Sequence, residues 1–387
     1  MRLRKKDVPS KESRGTVVHL VGRLTDAVFR FLGPATGTLS ESGVHQVVVM
    51  IDDARSRELL NRFSSKVEIL LARDDVNPLR LWRGLYRLFC SVTDREPIGA
   101  VHLHGVLPSL AGVRWAHQRK NLKVPVYFSP HSSKLLGALG VVGAPIMWIV
   151  RPMAGLSGQR AIANALSDAR HLAPYAERDI ELIETPIPDA FFAVERLEAR
   201  KPLIVGSGIP GSAASVELFA QLAVVLGDEG LGVSFNWIGE TDPSSAARLR
   251  AANVGVYAPE GDEARASRLG AGWVYVAAGG SGRSFPVALA EAMAAGLPCV
   301  AIDNPQHRDL IDDRLNGYLC KHHDEILLRV AALIDSKDLR RTVGQNAWAT
   351  ARERFSHDGF QRRLLAAYSR VDDESASSPP SEHGIPA

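Results

Sequence analysis

The residues best suited to chemistry stand together about three quarters of the way along the chain. Gly279-Gly280-Ser281-Gly282-Arg283-Ser284-Phe285-Pro286 leads into Val287-Ala288-Leu289-Ala290-Glu291-Ala292-Met293-Ala294-Ala295-Gly296. Such a loop offers unencumbered backbone N–H groups, and a helix opening at Pro286 adds the partial positive charge of its dipole. Together they favour a phosphate, with the amides of Ser281 and Gly282 presented to it. Glu291 is the only ionisable side chain from Val287 to Ala301 apart from Cys299. A carboxylate in so apolar a helix needs a hydrogen-bonding partner if it is buried. A ribose diol is one such partner, through two charge-assisted hydrogen bonds; a water-facing position or a bond to a neighbouring loop satisfies the same pattern. His104 and His131 follow apolar runs elsewhere in the chain. As bare residues, histidines in that setting are more often packed or solvent-exposed than ligand-binding.

The elements that must position these groups alternate in period. Val17–Val21, Val47–Ile51, Val67–Leu71, Ala100–His104 and Val124–Phe128 are short apolar runs, each followed by Gly or polar residues and then a helical pattern. They predict buried parallel strands. The pattern restarts at Leu203–Gly206 and continues through Val233–Gly239, Val254–Tyr257, Trp273–Val276 and Pro298–Ile302. The expectation is an α/β chain of two Rossmann-like halves facing across a cleft, with ligands beyond the carboxyl ends of the strands. Gly22, Gly105 and His131 lie at those ends.

Composition bounds the rest. The chain has 387 residues, 45% hydrophobic and 23% charged, which excludes collagen-like, fully disordered and coiled-coil classes. Cys90, Cys299 and Cys320 are scattered, so neither a disulfide framework nor a thiolate zinc site is expected, and a cytoplasmic setting fits. A net charge of +3 is too mild for nucleic acid and suits phosphate ligands or an anionic lipid surface. No apolar signal segment follows the basic residues 1–14. The uncharged stretch Leu135–Val150, at 16 residues, falls short of the ~20 that span a bilayer. Residues 1–14 and 372–387 read as disordered tails. Within Pro78–Phe89, Leu79, Trp82, Tyr86 and Phe89 are expected on one helix face and Arg80, Arg83 and Arg87 on another. That pattern serves equally for packing on a sheet or lying on anionic lipid.

The stretch Gly279–Cys320 resembles the C-terminal signature of the group 1, or family 4, glycosyltransferases of GT-B fold. The matching residues are Phe285-Pro286, Leu289-Ala290-Glu291-Ala292-Met293-Ala294, Gly296, Pro298, Asp309 and Asn316-Gly317-Tyr318-Leu319. Val101–Gly105, Ser129-Pro130-His131, Ala165-Leu166-Ser167, Pro186–Phe192 and Ala351–Ser356 resemble further elements of that family. The resemblance implies an acceptor-binding domain at 15–195, a donor-binding domain at 196–356 and a helix at 357–371 returning to the first domain. It implies a retaining, metal-independent transferase that moves a hexose from a nucleotide-sugar, a substrate and not a cofactor, to a glycan or lipid-linked acceptor. Bacterial surface polysaccharide synthesis, in the cytoplasm or peripherally at the inner membrane face, is the setting it suggests. On this resemblance Glu291 binds the nucleotide ribose, His131 contacts the donor sugar as the catalytic-site histidine, and His104 is a weaker candidate for substrate contact.

Three positions depart from the family pattern. The first Glu of its E-x(7)-E motif falls on Arg283, its domain-opening Gly-Arg reads Gly206-Ser207, and a lysine six residues on falls on Ala213. The segment Gly206–Ser212, with Ser207 and Gly208, offers backbone amides in place of those cations. Arg283 supplies one guanidinium fork for phosphate. The alternative that these losses favour is a non-catalytic GT-B module that holds a glycan or a partner; a sugar-nucleotide epimerase is a third reading.

Overall fold

The computed structural model describes residues 15–118, 124–131, 159–173, 180–208, 213–228, 232–258, 261–279 and 285–376. Ser281, Gly282 and Arg283, the stretch Leu135–Val150 and residues 1–14 lie outside them.

Two parallel sheets form from the apolar runs. The first contains β1 (Thr16–Val21), β2 (Gln46–Asp52), β3 (Glu68–Arg73), β4 (Ile98–His104), β5 (Val126–Ser129), β6 (Gln159–Ala163) and β7 (Glu181–Leu182), in the order β3-β2-β1-β4-β5-β6-β7. The second contains β8 (Leu203–Ser207), β9 (Ser234–Ile238), β10 (Val254–Tyr257), β11 (Val274–Ala277), β12 (Cys299–Ile302) and β13 (Tyr318–Cys320), in the order β10-β9-β8-β11-β12-β13. All their pairings are parallel. The sequence pattern announces ten of these strands; β6, β7 and β13 are short or poor in continuous apolar residues and give no equal signal.

In each sheet the winding starts at a central strand, runs outward, and returns to the other side of that strand. The switch points therefore lie between β1 and β4 and between β8 and β11, where the carboxyl ends of the strands open a crevice. The close approach of β8 and β9 at their ends depends on Gly239, whose φ of +143° and contact with the Gly208 carbonyl leave no space for a Cβ.

Helices cover both faces because continuous strands must be buried on both. On Pro78–Thr93 the face turned to the sheet is Leu81, Leu85, Phe89 and Val92, not the expected Leu79, Trp82, Tyr86 and Phe89. Leu79 is exposed, while Trp82 and Tyr86 stack on each other beneath the guanidinium of Arg114. The helix is amphipathic as expected, but its buried stripe is rotated by about one position. Trp82 and Tyr86 are half-buried against the margin of the same core, with Arg114 of the adjacent helix over their rings.

The chain crosses back to the first lobe at its end. Helix Lys337–Phe355 packs on Val287–Ala294 in the second lobe. After Ser356, helix His357–Ala376 places Phe360, Leu364 and Ala367 against Phe31, Ala35 and Leu39 of the first. This helix continues past its expected end at residue 371, into the stretch expected to be a disordered tail. Once nucleated, each further residue gains a hydrogen bond, and no Gly or Pro interrupts Asp372–Ala376.

Among the described residues, several polar contacts join the lobes. Arg354 donates to both oxygens of buried Glu184 at 3.1 and 2.6 Å, and to the Asp309 carbonyl at 2.6 Å. Arg170 reaches buried Asp309 at 2.5 Å. The Ile187 amide donates to the Phe355 carbonyl at 2.9 Å, ahead of a short helix, Asp189–Ala193, whose Phe191 is fully buried in the core of the second lobe.

Candidate functional site

Glu291 sits on helix Val287–Ala294, which packs its Leu289, Ala290, Ala292 and Met293 into the second core and begins one residue later than expected, with Pro286 as its N-cap. Only 2% of Glu291 is exposed. Its carboxylate pairs with Arg265 of helix Asp262–Gly270, and Arg30 from helix Asp26–Glu41 of the opposite lobe stands 3.9 Å from Oε1. Burial pushes the carboxyl upward, opposed by the two guanidinium charges. Arg265 also lies 3.8 Å from Asp262 and over the Phe191 ring. Of the sequence alternatives for Glu291, exposure to water is ruled out. The side chain is bonded to a neighbouring element, and the approach of Arg30 shows that it faces the gap between the lobes.

Ser207 closes β8 and Gly208 follows it, beside this helix. The Ser207 hydroxyl shares a 2.6 Å hydrogen bond with the hydroxyl of Tyr275 on β11. Burial and the nearby Glu291 charge push the Tyr275 hydroxyl upward, so it stays protonated. Ala213, which stands where a cation was expected, is exposed at the start of helix Ala213–Asp228. Among the described residues, Arg265 and Arg30 are the guanidinium groups that reach Glu291. Neither belongs to a local motif, so the sequence pattern carries no sign of either.

Across the gap, His104 ends β4 and His131 follows β5 in a left-handed conformation, φ +50°. His131 Nε2 lies 2.8 Å from His104 Nδ1, and the two rings stack. Phe31 meets His131 edge-on at 5.4 Å between centroids. Arg30 and Phe31 are adjacent, so one helix turn touches both His131 and Glu291. That juxtaposition is the centre of the candidate site.

The histidines extend inward. His104 Nε2 is 3.1 Å from His19 Nδ1, and His19 Nε2 is 3.3 Å from Gln46 Oε1. His102, beside them, is 2.7 Å from the Tyr368 hydroxyl on the returning helix and 2.9 Å from Ser129 Oγ. Burial holds His19 down at about 4 and His131 at about 3, and pushes His102 and His104 well below the usual imidazole range. One nitrogen each from His19, His102 and His104 lies within 4.8 Å of the others, the spacing of a metal site. Each of the six ring nitrogens already has a hydrogen-bond partner. No carboxylate among the described residues hydrogen-bonds the trio, so a dication there would stand uncompensated in a buried interior. The donor set fits hydrogen bonding better than metal. Strand alternation placing His102 and His104 on one face is legible in the sequence; the meeting with His19 is not.

Known proteins share this architecture. Residues 245–349 match the family model of glycosyl transferases group 1. The resemblance read from Glu291 and its neighbours therefore holds for this segment. A glycosyltransferase from Rickettsia africae superposes with a TM-score of 0.73 at 13% identity, covering 92% of this chain and 98% of its own. Sucrose-phosphate synthase from Thermosynechococcus elongatus gives 0.70 at 13% identity, covering 93% and 100%. Anabaena HepE, solved in complex with UDP, gives 0.71 at 12% identity, covering 92% and 99%. The fold is GT-B. No curated protein matches the chain. No helix among the described residues is long and apolar enough to cross a membrane.

Proposed function

We propose that this chain is a glycosyltransferase that takes a sugar from a nucleotide-sugar bound on the second lobe and passes it to a glycan or lipid-linked acceptor in the first. The observation that carries this reading is Glu291: a nearly fully buried carboxylate that faces the inter-lobe gap between two arginines, inside the segment matching the glycosyl transferase family. In this reading Glu291 exchanges its Arg265 contact for the ribose diol. Arg265 and Arg30 then become available to a diphosphate, in place of the cations missing at Ser207 and Ala213. Such charge stabilisation of a leaving group is usually the largest catalytic contribution. The amides of Ser281 and Gly282 and the Arg283 side chain are proposed phosphate contacts, and His131 a donor-sugar contact. Retention of configuration and independence of metal belong to the same proposal.

The solved HepE complexes with UDP and with UDP-glucose make these two the first probes to use. Calorimetry is expected to show UDP binding, and Glu291→Ala to weaken it by more than ~1 kcal/mol, the scale of a hydrogen bond to a charged group. No binding of any nucleoside diphosphate would remove the transferase reading. Ser207 commits its hydroxyl to Tyr275, which favours a second reading, a non-catalytic module. Release of UDP from a sugar nucleotide in the presence of acceptor excludes it.

A role at the inner membrane face, in surface polysaccharide synthesis, completes the proposal. Exposed Val76 and Leu79 beside Arg80 and Arg83 support it. Flotation with anionic liposomes at low salt is expected, and a protein that stays at the bottom contradicts it.

A further inference from the structure

The inner end of the histidine chain has a fixed polarity. Gln46 Nε2 lies 2.9 Å from the Thr36 carbonyl oxygen and 3.0 Å from Ser40 Oγ. A backbone carbonyl only accepts, so the amide nitrogen must face it, and Oε1 is left to face His19. His19 Nε2 therefore carries a proton and donates to Oε1. Burial keeps this imidazole neutral, so its Nδ1 is a lone pair and accepts from His104 Nε2–H. By the same step His104 Nδ1 accepts from His131 Nε2–H. His131 Nδ1 is then the lone pair at the outer end, without a hydrogen-bond partner among the described residues.

We propose that Gln46 is a positioning residue for His131: acting through His19 and His104, its oriented amide locks His131 as the Nε2–H tautomer and leaves Nδ1 as a hydrogen-bond acceptor. The chain ends on an amide anchored to a backbone carbonyl, not on an acid or base, so it sets direction and does not conduct protons. An acceptor nitrogen recognises a hydroxyl and repels a phosphate oxygen. His131 is thereby matched to a sugar hydroxyl and not to the diphosphate. This last consequence rests on the donor-site reading; the tautomer lock does not.

Imidazole 15N–1H correlation spectra of the full-length protein labelled at histidine test the lock directly. His131, assigned by its loss in His131→Phe, is expected with a pyrrole-type Nε2 and a pyridine-type Nδ1. Gln46→Met, of similar shape but without the oriented amide, is expected to bring a pyrrole-type Nδ1 signal to His131, three residues along the chain of bonds. Ser40→Ala removes another hydrogen bond of the same amide and keeps the Thr36 carbonyl, so it is expected to leave the His131 pattern unchanged. A pyrrole-type Nδ1 in the unsubstituted protein overturns the proposal even if no variant folds. So does an unchanged pattern in folded Gln46→Met. For the ligand, the ratio of UDP-glucose to UDP affinity is expected to fall about five- to tenfold in Gln46→Met, the scale of one hydrogen bond, with UDP affinity itself unchanged. An unchanged ratio overturns the hydroxyl assignment. Absence of UDP binding in the unsubstituted protein instead removes the donor-site reading, and with it the hydroxyl assignment, while the spectra still decide the lock.

Discussion

Acidification attacks this fold through the buried histidines of the first lobe. His19, His102 and His104 are at most 2% exposed, and each is held neutral by burial, His19 down to about 4 from an ordinary value of 6.5. Between pH 6.5 and 4 the unfolded chain binds protons on these side chains and the folded lobe does not. The unfolded state therefore gains relative stability as pH falls, and folding stability rises with pH across that window. Each pH unit is worth about 1.36 kcal/mol per such group, so going from pH 7 to 5 costs about 2 kcal/mol at His19. His102 and His104, shifted in the same direction, add to that loss, which falls on a typical domain total of ~5–15 kcal/mol. Two other effects are separable. Burial raises the Glu291 carboxyl, so the folded state gains stability from it as pH falls, opposing the histidines. Asp52, Asp74 and Asp303 are held low by arginine partners, and their contribution is lost only below the ordinary carboxylate range. Urea unfolding of Glu291→Gln at pH 7, 6 and 5, at constant ionic strength, measures the histidine contribution free of that opposition. A loss below about 1 kcal/mol between pH 7 and 5 would refute the reasoning, since even His19 alone demands about twice that.

The other expectations concern packing and the lobe junction. Arg354→Leu strands the buried Glu184 carboxylate and is expected to cost about 3–5 kcal/mol in urea unfolding, with part regained when Glu184→Leu is added; a cost under about 1 kcal/mol contradicts the pairing. Gly344→Ala would drive a Cβ into the Gly296 carbonyl where helix Lys337–Phe355 crosses the end of Val287–Ala294, and a lowered Tm equivalent to about 1–3 kcal/mol is expected. An unchanged Tm would mean that the two helices are less tightly apposed than described.

Much of the architecture is legible in the amino-acid order alone, because burial of a parallel strand on both faces leaves a local record. Val47–Ile51 and Val300–Ala301 are apolar because they are buried in the middle of such a sheet. The same holds for Glu291: a lone acid in an apolar helix is conspicuous, and its need of a partner once buried follows from the cost of leaving it bare. The identity of that partner does not. Arg265 comes from another helix of the same lobe and Arg30 from the opposite lobe, brought in by the winding of two sheets and the return of helix His357–Ala376. The histidines divide in the same way. Alternation in β4 puts His102 and His104 on one side from the sequence alone. Their orientation depends on a glutamine of β2, a serine of β5 and a tyrosine of the returning helix, because hydrogen-bond direction is settled by whichever acceptor the tertiary fold places at the end of the line.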